Sequence, residues 1–395
     1  MIERNYIGKK NSLYEYYYLI IFCVILLQLF VLPGIRLGVV SSLLIFLVLY
    51  KNVNKYDLLN NKIINKLVLF YLIYNTVSVI NYIFLDIPLS VYFAELSNSI
   101  LPIFFFYFSN KGETSNSKFY YVTLWVLIIS FLLGYFLWIN DSEEYKIFME
   151  TTEGPGTGID FFQSLYGLTA TGAFGVIGFL ISANLVINSH GKHGKIAMII
   201  CILATIFTFR RGSIVSIFIA FVILHFVAYF KSKFVKFRYF FLEIFFLIAV
   251  FKYLLGDFNF FFENLIERSS MISEALGERS FTWSAAFQDW NFVFGRGLGT
   301  LGHKAIGFSK VLIADGNYFK MIGEIGIIGS FIFLMILIFS FWRGILNFKN
   351  TFLDLGIVFC ICLIAVGSNI FTYQSIAPIF WFSIGRLANF KNSLS

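Results

Sequence analysis

Residues 195–230 read KIAMIICILATIFTFRRGSIVSIFIAFVILHFVAYF, 36 residues whose only charges after Lys195 are Arg210 and Arg211. As a single helix this stretch would be about 54 Å long, well beyond the roughly 30 Å hydrocarbon core of a bilayer. It therefore reads as two crossings, and Arg210-Arg211-Gly212 is the natural break between them. The incoming half, 196–209, has 14 residues, or about 21 Å of helix. It stops short of the far surface and leaves both guanidinium groups near the outer leaflet. An arginine at mid-membrane costs roughly 2.5–3.5 kcal/mol on insertion scales, which snorkelling partly relieves. Residues so placed face a polar cavity and an anionic partner, or they reach the outer headgroups.

The rest of the chain has the same character. Of 395 residues, 58% are hydrophobic and 13% charged, with 52 Phe and five Pro, and the mean hydropathy is +0.80. A soluble domain carries roughly a quarter charged residues, so soluble, disordered, collagenous and disulfide-scaffold classes are excluded. The apolar runs are continuous and lack a period of two, which excludes a transmembrane barrel. The expected fold is all-α, one integral membrane domain over 1–395. Twelve spans are expected, at roughly 17–33, 35–50, 64–85, 91–108, 119–139, 161–187, 195–209, 213–230, 239–255, 315–341, 351–369 and 374–387. Two loops exceed the others, an acidic one at 140–160 and a large one at 256–314 between spans nine and ten. The first run follows a basic tail with no small-residue cleavage site after it, so it is expected to stay as a span.

With a cytoplasmic N-terminus, 19 of the 30 basic residues fall on the inner side and 16 of the 22 acidic residues on the outer side. This asymmetry follows the positive-inside rule and expects both termini in the cytoplasm and both large loops outside. The net +8 is scattered between apolar runs, so no nucleic-acid partner is expected. Cys23, Cys201, Cys360 and Cys362 lie inside apolar segments at spacings that form neither a zinc site nor a disulfide framework; they read as small buried hydrophobes.

The outer arginines suggest a cationic floor. Arginine's planar fork suits phosphate oxygens. A lipid pyrophosphate in the outer leaflet matches the depth and sign of Arg210 and Arg211, with Arg268, Arg279 and Arg296 added from the large loop. Trp283, Phe287 and Trp290 share a face of a helix over 280–291, expected either at the membrane interface or as a lid packed on the bundle. The glycines of Arg296-Gly-Leu-Gly-Thr precede no strand or helix of nucleotide-binding type. Farther on, Asp315 stands at the outer mouth of span ten, as an N-cap or as a site carboxylate, and Glu324 lies deeper inside it. Gly323, Gly326 and Gly329 form a small-residue face suited to close helix approach. Glu143, Glu144, Glu150 and Glu153 in loop 140–160 read as a cover over a ligand or as a solvated run.

Three of these stretches carry a resemblance: Thr208-Phe-Arg-Arg-Gly-Ser-Ile-Val-Ser216, Arg279 through Trp283 and Trp290 to Gly295-x-Gly297-x-Gly299, and Asp315-x-x-Tyr318 followed by Gly326-x-x-Gly329. Together they resemble the O-antigen polymerase family (Wzy-type), part of a wider group that includes O-antigen ligases. Ligases carry a His where this chain has Asp315, which favours the polymerase. The family's Asn beside that Asp stands here as Gly316, with Asn317 one place later; His303 lies nearby in the loop.

The resemblance implies a metal-independent glycosyl transfer without cofactors, on the outer face of a bacterial cytoplasmic membrane. Donor and acceptor are oligosaccharides linked to polyprenyl pyrophosphate. Arg210 and Arg211, helped by Arg279 and Arg296, are expected on the pyrophosphate. Asp315 is expected as base or sugar anchor, with Glu324 second and Arg211 part of the catalytic set. Trp283, Trp290, Asn317 and Tyr318 are candidates for the glycan, with packing against lipid the alternative for the aromatics. A chain-length regulator is a partner that the resemblance leaves open. A ligase and a lipid-linked oligosaccharide flippase remain the alternatives. Against a flippase stand the lack of internally repeated halves and the 59 residues of loop 256–314.

Overall fold

The computed structural model describes residues 13–30, 37–52, 63–109, 118–140, 162, 164–188, 191–208, 210–230, 272–287, 292–309, 311–313 and 315–389. Among these residues there is no β-strand. Helices α1 (Tyr17–Phe30), α2 (Leu37–Asn52) and α3 (Ile63–Val77, prolonged as a 3-10 turn to Phe84) come first. They are followed by α4 (Leu89–Phe108) and α5 (Lys118–Ile139). Next come α6 (Leu168–Ile187), α7 (Gly191–Phe207) and α8 (Arg211–Phe230). A shorter helix, α9 (Ile272–Ser284), precedes α10 (Asn317–Leu346), α11 (Phe348–Gly367) and α12 (Ala377–Asn389). Six of these stretches are long and apolar enough to cross a membrane: Ile63–Phe84, α4, α5, α6, α10 and α11. Expected span 239–255, the acidic loop beyond Asn140, Arg268 and Trp290 lie outside the described residues.

The long run around Arg210 is broken as its length requires, with α7 ending at Phe207 and α8 beginning at Arg211. The six long stretches are apolar on both faces, as a lipid solvent demands. In α10, Phe331, Leu334, Ile338, Trp342 and Ile345 are exposed at spacings of three and four, whereas Ile332, Phe333, Ile336 and Leu337 are buried. Cys201 and Cys360 are buried as expected, but Cys23 is exposed, on an outward face of α1 where an apolar thiol carries no penalty.

At the centre stands α6, with every residue but Val186 buried. Its stripe Gly172, Gly175 and Gly178 lets α7 and the start of α8 approach closely. A Cβ on Gly175 would lie 2.1 Å from Thr205 Oγ1 and 2.9 Å from the Cys201 carbonyl oxygen. Span six was expected to start at 161; α6 begins only at Leu168, because Gly167 ahead of it turns the chain at φ +85°.

Two helices near the site depart from regular geometry. In α4 the ladder widens to a π turn over Leu96–Ile100 and tightens over Leu101–Ile103. Pro102 lacks the N–H that would bond back one turn, so the ladder must be re-registered there. In α10 the break is at Gly326, with φ +66° and ψ −176° inside an otherwise helical run. The loop 292–301 lies along this break. Arg296 N–H donates to the Gly323 carbonyl at 2.9 Å, Gly297 N–H to Glu324 at 2.8 Å, and Ile328 N–H to Val293 at 3.3 Å. The hydroxyl of Tyr74 donates to the Ile325 carbonyl at 3.0 Å. The groups freed by the break are thus satisfied inside the protein, the condition for irregular backbone at membrane depth. What approaches the small-residue face of α10 at Gly326 is therefore a loop, where a neighbouring helix was expected.

Candidate functional site

Charged side chains gather at the end of the bundle where α10 begins. Arg279, in the last turns of α9, reaches Asp315 with Nη2 3.0 Å from Oδ2. Both side chains are about two-fifths exposed, at 38% and 41%, so the pair adds only about 0–1 kcal/mol to stability and both groups stay accessible. Trp283 Nε1 donates to the Asp315 carbonyl at 2.7 Å, which holds this turn against α9. Gly316 occupies the N-cap position of α10 in a left-handed conformation, without a side-chain cap bond. Asp315 is thus not the N-cap; its carboxylate is turned to Arg279.

Arg210 and Arg211 belong to the same end. A Cβ on Gly212 would sit 3.8 Å from Ile364 Cα, and one on Gly367, three residues further along α11, would sit 3.9 Å from Arg279 Nη1. Arg211 opens α8 and is exposed. Arg210 is half-buried, and its Nε is buried without a hydrogen-bond partner. Arg296 is half-buried on the loop that follows the α10 break. His303 is exposed in a short 3-10 turn.

The glycan candidates are placed differently. Trp283 is half-buried and stacked on Phe319, centroids 4.4 Å apart at 11°, so one face of the indole is covered. Phe287 meets Phe319 edge-on at 6.2 Å, and the end of α9 is therefore packed on the bundle as a lid. Asn317 is buried, its Oδ1 accepting the Phe371 N–H at 3.2 Å. Tyr318 donates its hydroxyl to the Cys362 carbonyl at 2.8 Å. Both tie α10 to α11 and the turn after it.

Glu324 lies beneath this mouth, 3% exposed. It is joined by two residues that sequence reasoning passed over. Lys320 Nζ is 2.6 Å from Glu95 Oε1 and 3.8 Å from Glu324 Oε2. Ser99, in the π turn of α4, donates to Glu95 Oε1 at 2.8 Å. Leu301 N–H donates to Glu324 Oε1 at 3.0 Å, and Gly299 and Gly302 are the small residues over which Glu95 and Lys320 pack. The i,i+4 spacing of Lys320 and Glu324 in an apolar span was a readable signal; the approach of Glu95 was not. These groups line a small cavity of ≈ 30 Å³, room for about one or two waters. Among the described residues, no three His, Cys, Asp or Glu side chains meet as a metal-ligand set.

In comparison with known proteins, no family model and no characterised sequence matches this chain.

Proposed function

We propose that this chain is a polysaccharide polymerase of about twelve spans in a bacterial cytoplasmic membrane, both termini cytoplasmic. In this reading it joins polyprenyl-pyrophosphate-linked oligosaccharide repeats on the outer face. The observation that carries the reading is that the Arg279–Asp315 pair and the Arg210–Arg211 break lie at the same end of the bundle, flanking α11. Three guanidinium groups and one accessible carboxylate at the same end suit a reaction that releases a pyrophosphate and takes a proton from a sugar hydroxyl.

The acceptor's terminal hydroxyl attacks the anomeric carbon of the donor glycan. The new glycosidic C–O bond forms as the anomeric C–O bond to pyrophosphate breaks, and the leaving oxygen keeps the electron pair. Arg210 and Arg211 meet the charge that grows on that oxygen, and fixed donors of this kind are worth about 2.7–4 kcal/mol each. Asp315 accepts the hydroxyl proton or anchors the acceptor sugar. Arg279, freed from Asp315, turns to the pyrophosphate. Glu324 is a weaker candidate for base, being enclosed by the loop 299–302 and paired within the protein.

Replacing Arg211 with Ala, at unchanged protein level, should cut polymer formation by about 10²–10³-fold. Surface glycan would then end at single repeat units on a gel. Wild-type chain lengths would refute the assignment. Long chains stranded on the lipid carrier in a strain lacking the gene would identify a ligase instead, and repeats trapped at the inner face a flippase.

A further inference from the structure

The cavity beneath the mouth carries a charge imbalance of its own. Glu95 and Glu324 are 2% and 3% exposed, and Lys320 2%. Among the described residues, one ammonium thus stands against two carboxylates, each of the three side chains almost wholly buried. The ammonium's hydrogen bond goes to Glu95, and at 3.8 Å from Glu324 Oε2 it forms an ion pair too long for a hydrogen bond. Among the described residues, the remaining titratable side chain of the lining is the Tyr71 phenol, and the nearby Tyr82 hydroxyl donates to the Leu298 carbonyl at 2.7 Å. A buried charge left uncompensated is strongly unfavourable.

A second observation is independent of the acids. Asn75, fully buried on α3, lines the same cavity, and its Oδ1 accepts no hydrogen bond among the described residues. Its amide nitrogen is occupied, donating to the Tyr71 carbonyl at 2.8 Å. The unfilled capacity of the lining is therefore acceptor oxygen from Asn75 and the two carboxylates, together with one missing positive charge. A cavity of ≈ 30 Å³ is large enough for a small ion with about one water.

We propose that this cavity binds one small monovalent cation, Na+ or a proton carried on water, between Glu324, Glu95 and Asn75. The carboxylate and amide oxygens of Glu324, Glu95 and Asn75 are the ligands that hard cations select, set beside the Lys320 ammonium in an otherwise largely apolar lining. Because Glu324 sits at the α10 break and accepts from the loop 299–301, the cation also locks that loop to the bundle. The inference rests on the charge count and on Asn75, and holds whatever reaction occurs at the mouth.

The test uses the full-length protein in lipid nanodiscs, with unfolding followed by tryptophan fluorescence; Trp381 lines the cavity. NaCl is compared with choline chloride at fixed ionic strength, from acid to neutral pH. Tm is expected to rise saturably with Na+, and Glu324→Gln, which keeps an acceptor for Leu301 N–H, should abolish the rise. A Tm indifferent to Na+ that climbs as pH falls, and loses this climb in the variant, names the proton as the cation. Asn75→Leu changes no charge and should raise the concentration needed by at least about tenfold; it serves where Glu324→Gln does not fold. A wild-type Tm indifferent to both Na+ and pH, or an unchanged response in both variants, overturns the proposal and leaves the cavity to neutral water.

Discussion

Lys320 and Arg279 each pair with a carboxylate at 3.0 Å or less, yet their surroundings set opposite consequences. The Lys320 side chain is 3% exposed and that of Arg279 is 38%. Lys320→Met leaves two buried carboxylates without their counter-ion, which should lower stability by about 3–5 kcal/mol. Arg279→Ala should change it by less than about 1 kcal/mol. Denaturant unfolding of both variants in the same detergent checks the contrast. Equal effects would show that the Arg279–Asp315 pair is structural. A small effect at Arg279 with lost polymer would place its role in binding or chemistry.

Among the elements, α10 depends most on one residue. Gly326 holds φ +66° and ψ −176°, a region essentially restricted to glycine, and a Cβ there would lie 2.3 Å from the Val293 carbonyl oxygen. Gly326→Ala should therefore destabilise by at least about 1–3 kcal/mol, read as a fall in Tm, and loosen the loop 292–301. A variant with wild-type Tm would mean that the helix is continuous there. The packing of α6 on α7 and α8 rests on size instead: Gly172, Gly175 and Gly178 are helical, and their missing side chains set how close Cys201 and Thr205 of α7 and Ser213 of α8 come.

Across the whole molecule, a second buried cluster joins α5, α11 and α12. Arg386 Nε donates to Asp354 at 3.0 Å and 3.1 Å, and Tyr120 donates its hydroxyl to the same carboxylate while bonding Ser383. Removing either charge alone, as in Arg386→Leu or Asp354→Leu, should cost about 3–5 kcal/mol, whereas removing both should cost less than the sum. A double-mutant cycle on thermal or denaturant unfolding measures the coupling; strict additivity would mean that the two groups do not act as a pair.

Much of this architecture was legible beforehand, for a physical reason. In lipid every backbone group must be satisfied within its own helix, so length and apolarity alone place the elements. Residues 64–85 and 119–139 were expected as spans, and the helices run Ile63–Phe84 and Lys118–Ile139; the break before Arg211 followed from excess length. The charges of the large loop suggested that Arg279 joins the outer site, but neither its pairing with Asp315 nor the approach of Glu95 to Lys320 was legible. Glu95 and Lys320 are 225 residues apart, and no local period records which distant span will face another. The sequence by itself therefore determined that the chain is helical, lipid-solvated and broken at Arg210–Arg211, because those properties are settled residue by residue against the bilayer. Only the tertiary structure decided that α4 and α10 enclose two acids and one lysine, that Asn317 and Tyr318 turn inward, and that a loop fills the α10 break, because those outcomes depend on packing between segments remote in the chain.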